Sequence, residues 1–244
     1  DVYKRQDDTT PEGEQVNIYG NHVGSWNFAA TAYLNRWKVK IYYEHYFDDH
    51  SQMFFQYGRW KDGHIGLEIT FPKNRFIDTF VYEGLGTKDQ TGPMLYDSFW
   101  GKFEEQISAK DNYYNHYLYQ GWQHWGMGIG NPLLPGPIYN KNGQITFISN
   151  RVLAHHIGFC GSPCQSLSYR MLLSYSRHWG TYDNPLNEIK KQFNSLFEVT
   201  YAPQQLKGWS FTVSGAMDRG SLLGNNYGGM LVIRKQGIIK SGNK

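Results

Sequence analysis

Strict alternation of apolar and polar residues marks the C-terminal half of this chain. One face of the segment 166–176 carries Leu167, Tyr169, Met171, Leu173 and Tyr175, and the opposite face carries Ser166, Ser168, Arg170, Ser174 and Ser176. A period of two predicts a β-strand, not a helix. The segments 192–201 and 209–218 repeat the same alternation. The chain is therefore predicted to be built from a series of long strands.

The predicted connections between these strands alternate in length. Strands are predicted at 16–20, 26–34, 37–47, 65–71 and 76–83, with a tight hairpin turn at Asn35 and Arg36. Long connections are predicted at 48–63, 84–143, 180–191 and 219–226, and short ones at 72–74, 160–165 and 202–207. Outer-membrane barrels have short turns on the periplasmic side and long loops outside, and their strands need ~9–11 residues.

The predicted fold class is thus all-β, an antiparallel up-and-down outer-membrane β-barrel. The strand count suggests a partial barrel of about ten strands with one long extracellular insertion. The C-terminus falls on the short, periplasmic side. A β-sandwich that is rich in tyrosine would also alternate, but it rarely needs strands of this length.

Composition supports a membrane barrel without requiring one. Aromatic residues make up 17% of the 244 residues, including 19 Tyr and 8 Trp, which suits interfacial girdles and sugar-stacking rings. The chain has no apolar run of roughly eighteen residues, which excludes a membrane helix but not a membrane strand. The formal net charge of +3 is too small to indicate nucleic acid as a partner.

The first six residues, DVYKRQ, resemble a sequencing or cloning scar. We therefore exclude residues 1–6 from the fold prediction and expect residues 7–244 to form the C-terminal portion of a β-barrel domain.

Several unusual strings in one order resemble the capsule assembly Wzi family of outer-membrane proteins. They occupy 80–93 (FVYEGLGTKDQTGP), 119–143 (YQGWQHWGMGIGNPLLPGPIYNKNG), 147–163 (FISNRVLAHHIGFCGSP), 175–185 (YSRHWGTYDNP) and 195–235. The resemblance implies a large β-barrel with an N-terminal helical plug, located in the outer membrane of a Gram-negative bacterium. It also implies a non-enzymatic, lectin-like protein whose partners are capsular or surface polysaccharide and outer-membrane lipid.

Two groups of residues are candidate polysaccharide contacts. The first is the aromatic set of the longest loop: Trp122, Trp125, Tyr113, Tyr114, Tyr117 and Tyr119. Flat rings stack on the apolar faces of sugars, although the same rings could instead pack the loop into the barrel mouth. The second is the polar turn formed by Lys88, Asp89 and Gln90 between Gly86 and Gly92, which could equally be an ordinary solvated turn.

Cys160 and Cys164 flank a Gly-Ser-Pro segment that is predicted to be a turn between two strands. Direct pairing across such a hairpin would bring the two thiols within reach, and the periplasm permits oxidation. The sequence therefore predicts a disulfide between them.

The residues give little support for catalysis, a metal or a cofactor. His155 and His156 point to opposite faces of one strand, so they do not share a metal ion without a bulge. The GMGIG segment at 126–130 lacks the context of a dinucleotide loop and is interpreted as close backbone packing. We therefore expect no enzyme activity, no metal site and no cofactor.

The leading functional hypothesis is a barrel whose long loops bind and retain capsular or surface polysaccharide. The alternatives are a porin-type channel, or a secreted glycan-binding or glycan-active β-sandwich.

Overall fold

The computed structural model describes residues 23–47, 62–74, 76–90, 111–116 and 122–237. The predicted strand at 16–20 and the suspected scar at 1–6 lie outside these ranges. Among the described residues there is no helix long and apolar enough to span a membrane.

The main sheet has nine antiparallel strands, and each pairs with the next along the chain. They are β1 (Gly24–Leu34), β2 (Trp37–Phe47), β3 (Gly63–Thr70), β4 (Thr79–Gly86), β7 (Val152–Cys164), β8 (Leu167–Gly180), β9 (Pro185–Tyr201), β10 (Trp209–Gly220) and β11 (Asn226–Lys235). A separate two-stranded hairpin, β5 (Gln123–His124) and β6 (Met127–Gly128), and a 3-10 turn at Pro137–Tyr139 lie in the long insertion. The predicted all-β, antiparallel, up-and-down class is confirmed. Strands β1 and β11 end the described sheet and do not pair with each other.

Strand register places the alternating residues on two distinct faces. We call the face that contacts the long insertion the inner face and the other the outer face. Directly paired residues share a face, so Ser174, His156 and Glu83 lie together on the inner face. Leu173 and its partner Ile157 lie together on the outer face.

Burial across these faces is the reverse of that in a water-soluble sheet. On the inner face the polar side chains of Ser176, His178, Gln192 and Ser214 are buried, each at 6% exposure or less. On the outer face large apolar side chains are exposed, including Phe28, Ile41, Ile65, Phe197, Val213, Leu231 and Ile233. Soluble sheets bury the apolar face instead, so this arrangement needs an apolar environment outside.

The outer face has clear boundaries at both ends of the strands. Near the short turns it carries Trp37, Tyr169, Tyr201 and Trp209, and near the long loops it carries the charged residues Arg177, Lys191 and Arg219. On β9, the distance from Tyr201 to Lys191 is about 33 Å at ~3.3 Å per residue. A strand tilt of ~40° reduces this to about 25 Å, the height of the apolar band in outer-membrane barrels.

Connection lengths agree only in part with the sequence prediction. The tight turn at Asn35 and Arg36 is present, and Asn35 adopts the left-handed conformation that such a turn needs. The predicted long loop at 180–191 is wrong, because β9 begins at Pro185 and the connection spans only 181–184. Gly180, with φ of 82°, turns the chain where the β8–β9 register shifts. The predicted long loop at 219–226 is also wrong, because the connection between β10 and β11 spans only 221–225.

The two cysteines lie on one strand, because β7 continues to residue 164 and the turn is formed by residues 165–166. Both thiols are free, which corrects the expected disulfide. Four positions of extended chain place the Cα atoms about 10–13 Å apart, beyond the ~7 Å limit for a bridge.

We therefore expect iodoacetamide to alkylate both Cys160 and Cys164 in denatured protein that has never been reduced. Intact mass before and after reduction is the measurement. A gain of two adducts only after reduction would contradict the strand assignment of these residues.

Candidate functional site: the loop-side mouth

The long insertion folds onto the inner face near the loop-side ends of the strands. Leu134 of the insertion is buried against Leu85 of β4 and Val152 and Ala154 of β7. Leu85 and Ala154 are register partners on the inner face. Because this cluster holds the apolar core of the described residues, the described part of the insertion is anchored on the inner face at the loop-side end of the sheet, which we call the mouth.

A buried polar network joins three separate parts of the insertion between β4 and β7, and Asn150 lies at its centre. Its amide nitrogen donates to the Asn112 side-chain oxygen (2.6 Å) and to the Tyr113 carbonyl (2.7 Å). Its side-chain oxygen accepts from the Gln90 amide at 2.9 Å. Both Asn150 and Gln90 have no exposed surface. Asn150 is thus paired through both its amide nitrogen and its side-chain oxygen, whereas the Gln90 side-chain oxygen is buried with no partner among the described residues. The bonds of Asn150 fix one geometry, because leaving a buried polar group unpaired is costly.

A second anchor involves Asp62 at the start of β3. Its carboxylate accepts from the Tyr113 hydroxyl at 2.9 Å and from the Asp89 backbone N–H at 2.9 Å. Asp62 and Tyr113 are both buried. The Asp62 carboxylate therefore fixes both the insertion and the segment after β4 to the start of β3.

Ionisable side chains line the inner face below the insertion. His64 Nδ1 lies 3.7 Å from the Glu44 carboxylate, and His64 Nε2 lies 3.5 Å from the Glu83 carboxylate. Tyr42 donates its hydroxyl proton to Glu83, and Lys38 lies 3.8 Å from Glu68. This set extends the polar lining across β2, β3 and β4.

Two clefts border the insertion. The first, about 430 Å³, lies between the insertion and the β1–β3 wall and is lined by Ser25, Glu44, Tyr46, His64, Tyr114 and Asn131, among others. The second, about 470 Å³, lies between the insertion and the β8–β9 connection, and we call it the amide cleft. Its polar lining comprises Asn112, Asn115, Gln144, Thr146, Thr181 and Asn184. Both volumes fall within the ~300–1,000 Å³ typical of small-ligand sites.

The structure separates the predicted aromatic set into internal and exposed members. Tyr113 is buried and its hydroxyl donates to the Asp62 carboxylate. The Tyr114 ring stacks on the Phe147 ring with 4.9 Å between the ring centres. Trp122 is partly buried, whereas Trp125 is 86% exposed. Tyr117 and Tyr119 lie outside the described residues.

The predicted polar turn also has mixed placement. Gln90 is fully buried and its amide donates a hydrogen bond to Asn150, and the Asp89 N–H donates one to Asp62. Lys88 places its ammonium 5.0 Å from the centre of the Trp179 ring. Of these three residues, Lys88 and Asp89 keep partial exposure.

Trp125 occupies an unusual position at the tip of the β5–β6 hairpin. Trp125 and Gly126 both have positive φ, 53° and 79°. A two-residue turn with both central φ values positive favours Asn-Gly, and a bulky residue there is an outlier. The backbone beneath this largely exposed ring is therefore strained.

Two structural predictions about smaller motifs are confirmed. His155 bonds to Tyr82 on the outer face at 2.8 Å, and His156 bonds to Ser174 on the inner face at 2.6 Å. In the GMGIG segment, a Cβ added at the neighbouring Gly136 would lie 2.6 Å from the Gly126 carbonyl oxygen and 2.5 Å from the Gly128 nitrogen. This segment therefore packs backbone against backbone.

The amide cleft has no counterpart among the predictions from the sequence. Its residues come from segments around 112–115, 144–148 and 181–186, which carry no shared motif. The available signal was the density of asparagine in the insertion, which includes Asn112, Asn115, Asn131, Asn140, Asn142 and Asn150.

Comparison with known proteins identifies no family. No protein-family model matches the chain, and no curated protein matches it. Among solved structures the chain is similar to the crystal structure of Pseudomonas aeruginosa OccK10 (OpdN), with a TM-score of 0.47 and 9% sequence identity. That match covers 90% of this chain and 54% of the solved chain. The chain thus spans about half the length of that protein.

Proposed function

We propose that this chain forms part of a non-enzymatic outer-membrane β-barrel that binds and retains capsular or surface polysaccharide. The observation that carries the membrane assignment is the reversed burial, with exposed Phe197 and Val213 outside and buried Gln192 and Ser214 inside. Soluble β-sandwiches bury the opposite face, so this alternative loses support. Retention of a polysaccharide is what the resemblance to the Wzi family implies.

Two features support the binding role. The insertion is held rigidly in the mouth by the Asn150 and Asp62 networks, so its surface is preorganised. It also presents an exposed tryptophan at a strained hairpin tip. A repetitive polymer needs only weak contacts at each protein, since neighbouring proteins share one chain.

A porin-type channel is the second candidate, and the ionisable inner face of β2–β4 favours it. Glu44, His64 and Glu83 are the kind of side chains that line a water-filled lumen. Planar-bilayer recordings of the full-length protein separate the two functions. We expect no steady conductance if the insertion closes the mouth, and a stable open level would favour the channel.

Replacing Trp125 by asparagine tests the polysaccharide role without damaging the fold. Asparagine tolerates positive φ, so we expect the hairpin to keep or gain stability. Loss of the ring should nevertheless release a large part of the surface polysaccharide, which is measured in the culture supernatant and on the cells.

Tyr33→Ala is the matched control, because Tyr33 is 75% exposed at the opposite, short-turn end of the sheet. Its removal should leave the retained polysaccharide unchanged. Full retention by the Trp125→Asn variant, with normal surface levels of the protein, would count against the role of this ring.

A further inference from the structure

The amide cleft combines a fixed polar floor with unused polar groups at its rim. On the floor, Asn115 donates to the Phe147 carbonyl (2.8 Å), and its side-chain oxygen accepts from the Phe147 N–H (2.8 Å). Asn112 donates to the Asp183 carboxylate at 3.1 Å. The Asn115 bonds fix two parts of the insertion to each other, and the Asn112 bond joins the insertion to the β8–β9 connection, so the cleft has a defined shape.

The rim residues Gln144, Thr146 and Asn184 differ from the floor residues. Within the part of the chain that the structure describes, their side chains have no hydrogen-bond partner. The backbone of the same residues is fixed, since the Asn184 N–H donates to Thr181 and the Gln144 carbonyl accepts from Asn140. The rim therefore presents amide and hydroxyl groups, on a rigid backbone, to an external molecule.

The lining also indicates the chemistry of that molecule. No lining residue in the described part of the cleft carries a charge. Amide side chains both donate and accept hydrogen bonds, as do sugar hydroxyl and acetamido groups. Ile148, Pro185 and Leu186 add an apolar wall suited to the C–H face of a pyranose ring.

From this geometry we infer that the amide cleft is a subsite for uncharged sugar units of a surface glycan. The inference rests on the proposed polysaccharide-binding function and adds the location and the chemical class of the bound unit. The cleft lies on the loop side of the sheet, as does the Trp125 hairpin. Hydrogen bonds from the rim orient the sugar, while the apolar wall contacts its ring.

The test uses short fragments of the host cell's surface polysaccharide, separated by anion exchange into uncharged and acidic fractions. Short fragments avoid the avidity that a long polymer would add. Binding to the full-length protein in detergent is measured by calorimetry for wild type and for the double variant Gln144→Ala/Asn184→Ala. These substitutions remove no internal side-chain hydrogen bond, and circular dichroism checks that the strands are retained.

We expect the double variant to bind the uncharged fragments about tenfold more weakly than wild type. Asn187→Ala is the matched control, because Asn187 is an exposed amide on β9 that does not line the cleft. It should bind like wild type.

Three results separate the possible failures. Equal affinity of wild type and the double variant for uncharged fragments would overturn the subsite. Tight binding confined to the acidic fraction would overturn the uncharged class. Absence of binding of either fraction to wild type would instead contradict the proposed function itself.

Discussion

Replacing Val213 by arginine is expected to destabilise the lipid-embedded protein by about 2–4 kcal/mol. Val213 lies midway along β10 on the outer face, and 61% of its surface is exposed to surroundings outside the protein. If those surroundings were water, arginine at an exposed site would change stability by no more than about 0.5 kcal/mol. Only an apolar lipid environment makes this substitution expensive.

Leu34→Arg provides the matched control for Val213→Arg. Leu34 has the same exposure of 61% but lies on the outer face beside the short turn at Asn35. Near the membrane boundary the cost of arginine falls to about 0–1 kcal/mol. The measurement is urea unfolding of full-length protein refolded in lipid vesicles. Equal small losses for the two variants would rule out the membrane orientation assigned to the outer face.

Replacing Asn150 by alanine is expected to release the insertion from the inner face. The change removes two buried hydrogen bonds and one partly buried one, and leaves the Gln90 amide and the Tyr113 carbonyl without this partner. Unpaired buried groups cost about 1–3 kcal/mol each, so we expect a local loss of about 2–4 kcal/mol. The strands keep their backbone pairing, so the effect should be confined to the insertion.

Limited proteolysis and bilayer conductance report this change directly. We expect cleavage within 111–150 in the Asn150→Ala protein, together with ion conductance through the opened mouth. Asn142→Ala is the control, because Asn142 is exposed and its side chain accepts one hydrogen bond, from the Gln144 N–H. Wild-type proteolysis and conductance in the Asn150→Ala variant would show that this network does not hold the insertion.

Alternation in the sequence determined which residues share a face of the sheet. Met171 and Leu173 fall on the outer face and Ser174 on the inner face because successive side chains of any strand point in opposite directions. This rule is local, so it needs no knowledge of the partner strand. The tight turn at Asn35 was equally local, since it depends on a residue that accepts positive φ.

Strand ends depended on pairing between strands. The alternation of β9 weakens between Pro185 and Lys191, where polar residues predominate, and the sequence alone suggested a loop. In the structure this stretch pairs with the end of β8, because backbone hydrogen bonds extend a strand whatever its side chains. Backbone pairing likewise extends β7 to Cys164, which places the two cysteines on one strand and keeps them apart.

The candidate site was decided almost entirely by tertiary structure. Gln90 was a candidate polysaccharide contact on a polar turn, but Asn150, distant in the sequence, supplies a buried partner for its amide. Trp125 and Tyr113 are both aromatic residues of one loop, yet one is exposed and the other is buried on Asp62. Local sequence determines side-chain chemistry and strand periodicity, whereas burial and hydrogen-bond partners depend on segments that folding brings together from far apart in the chain.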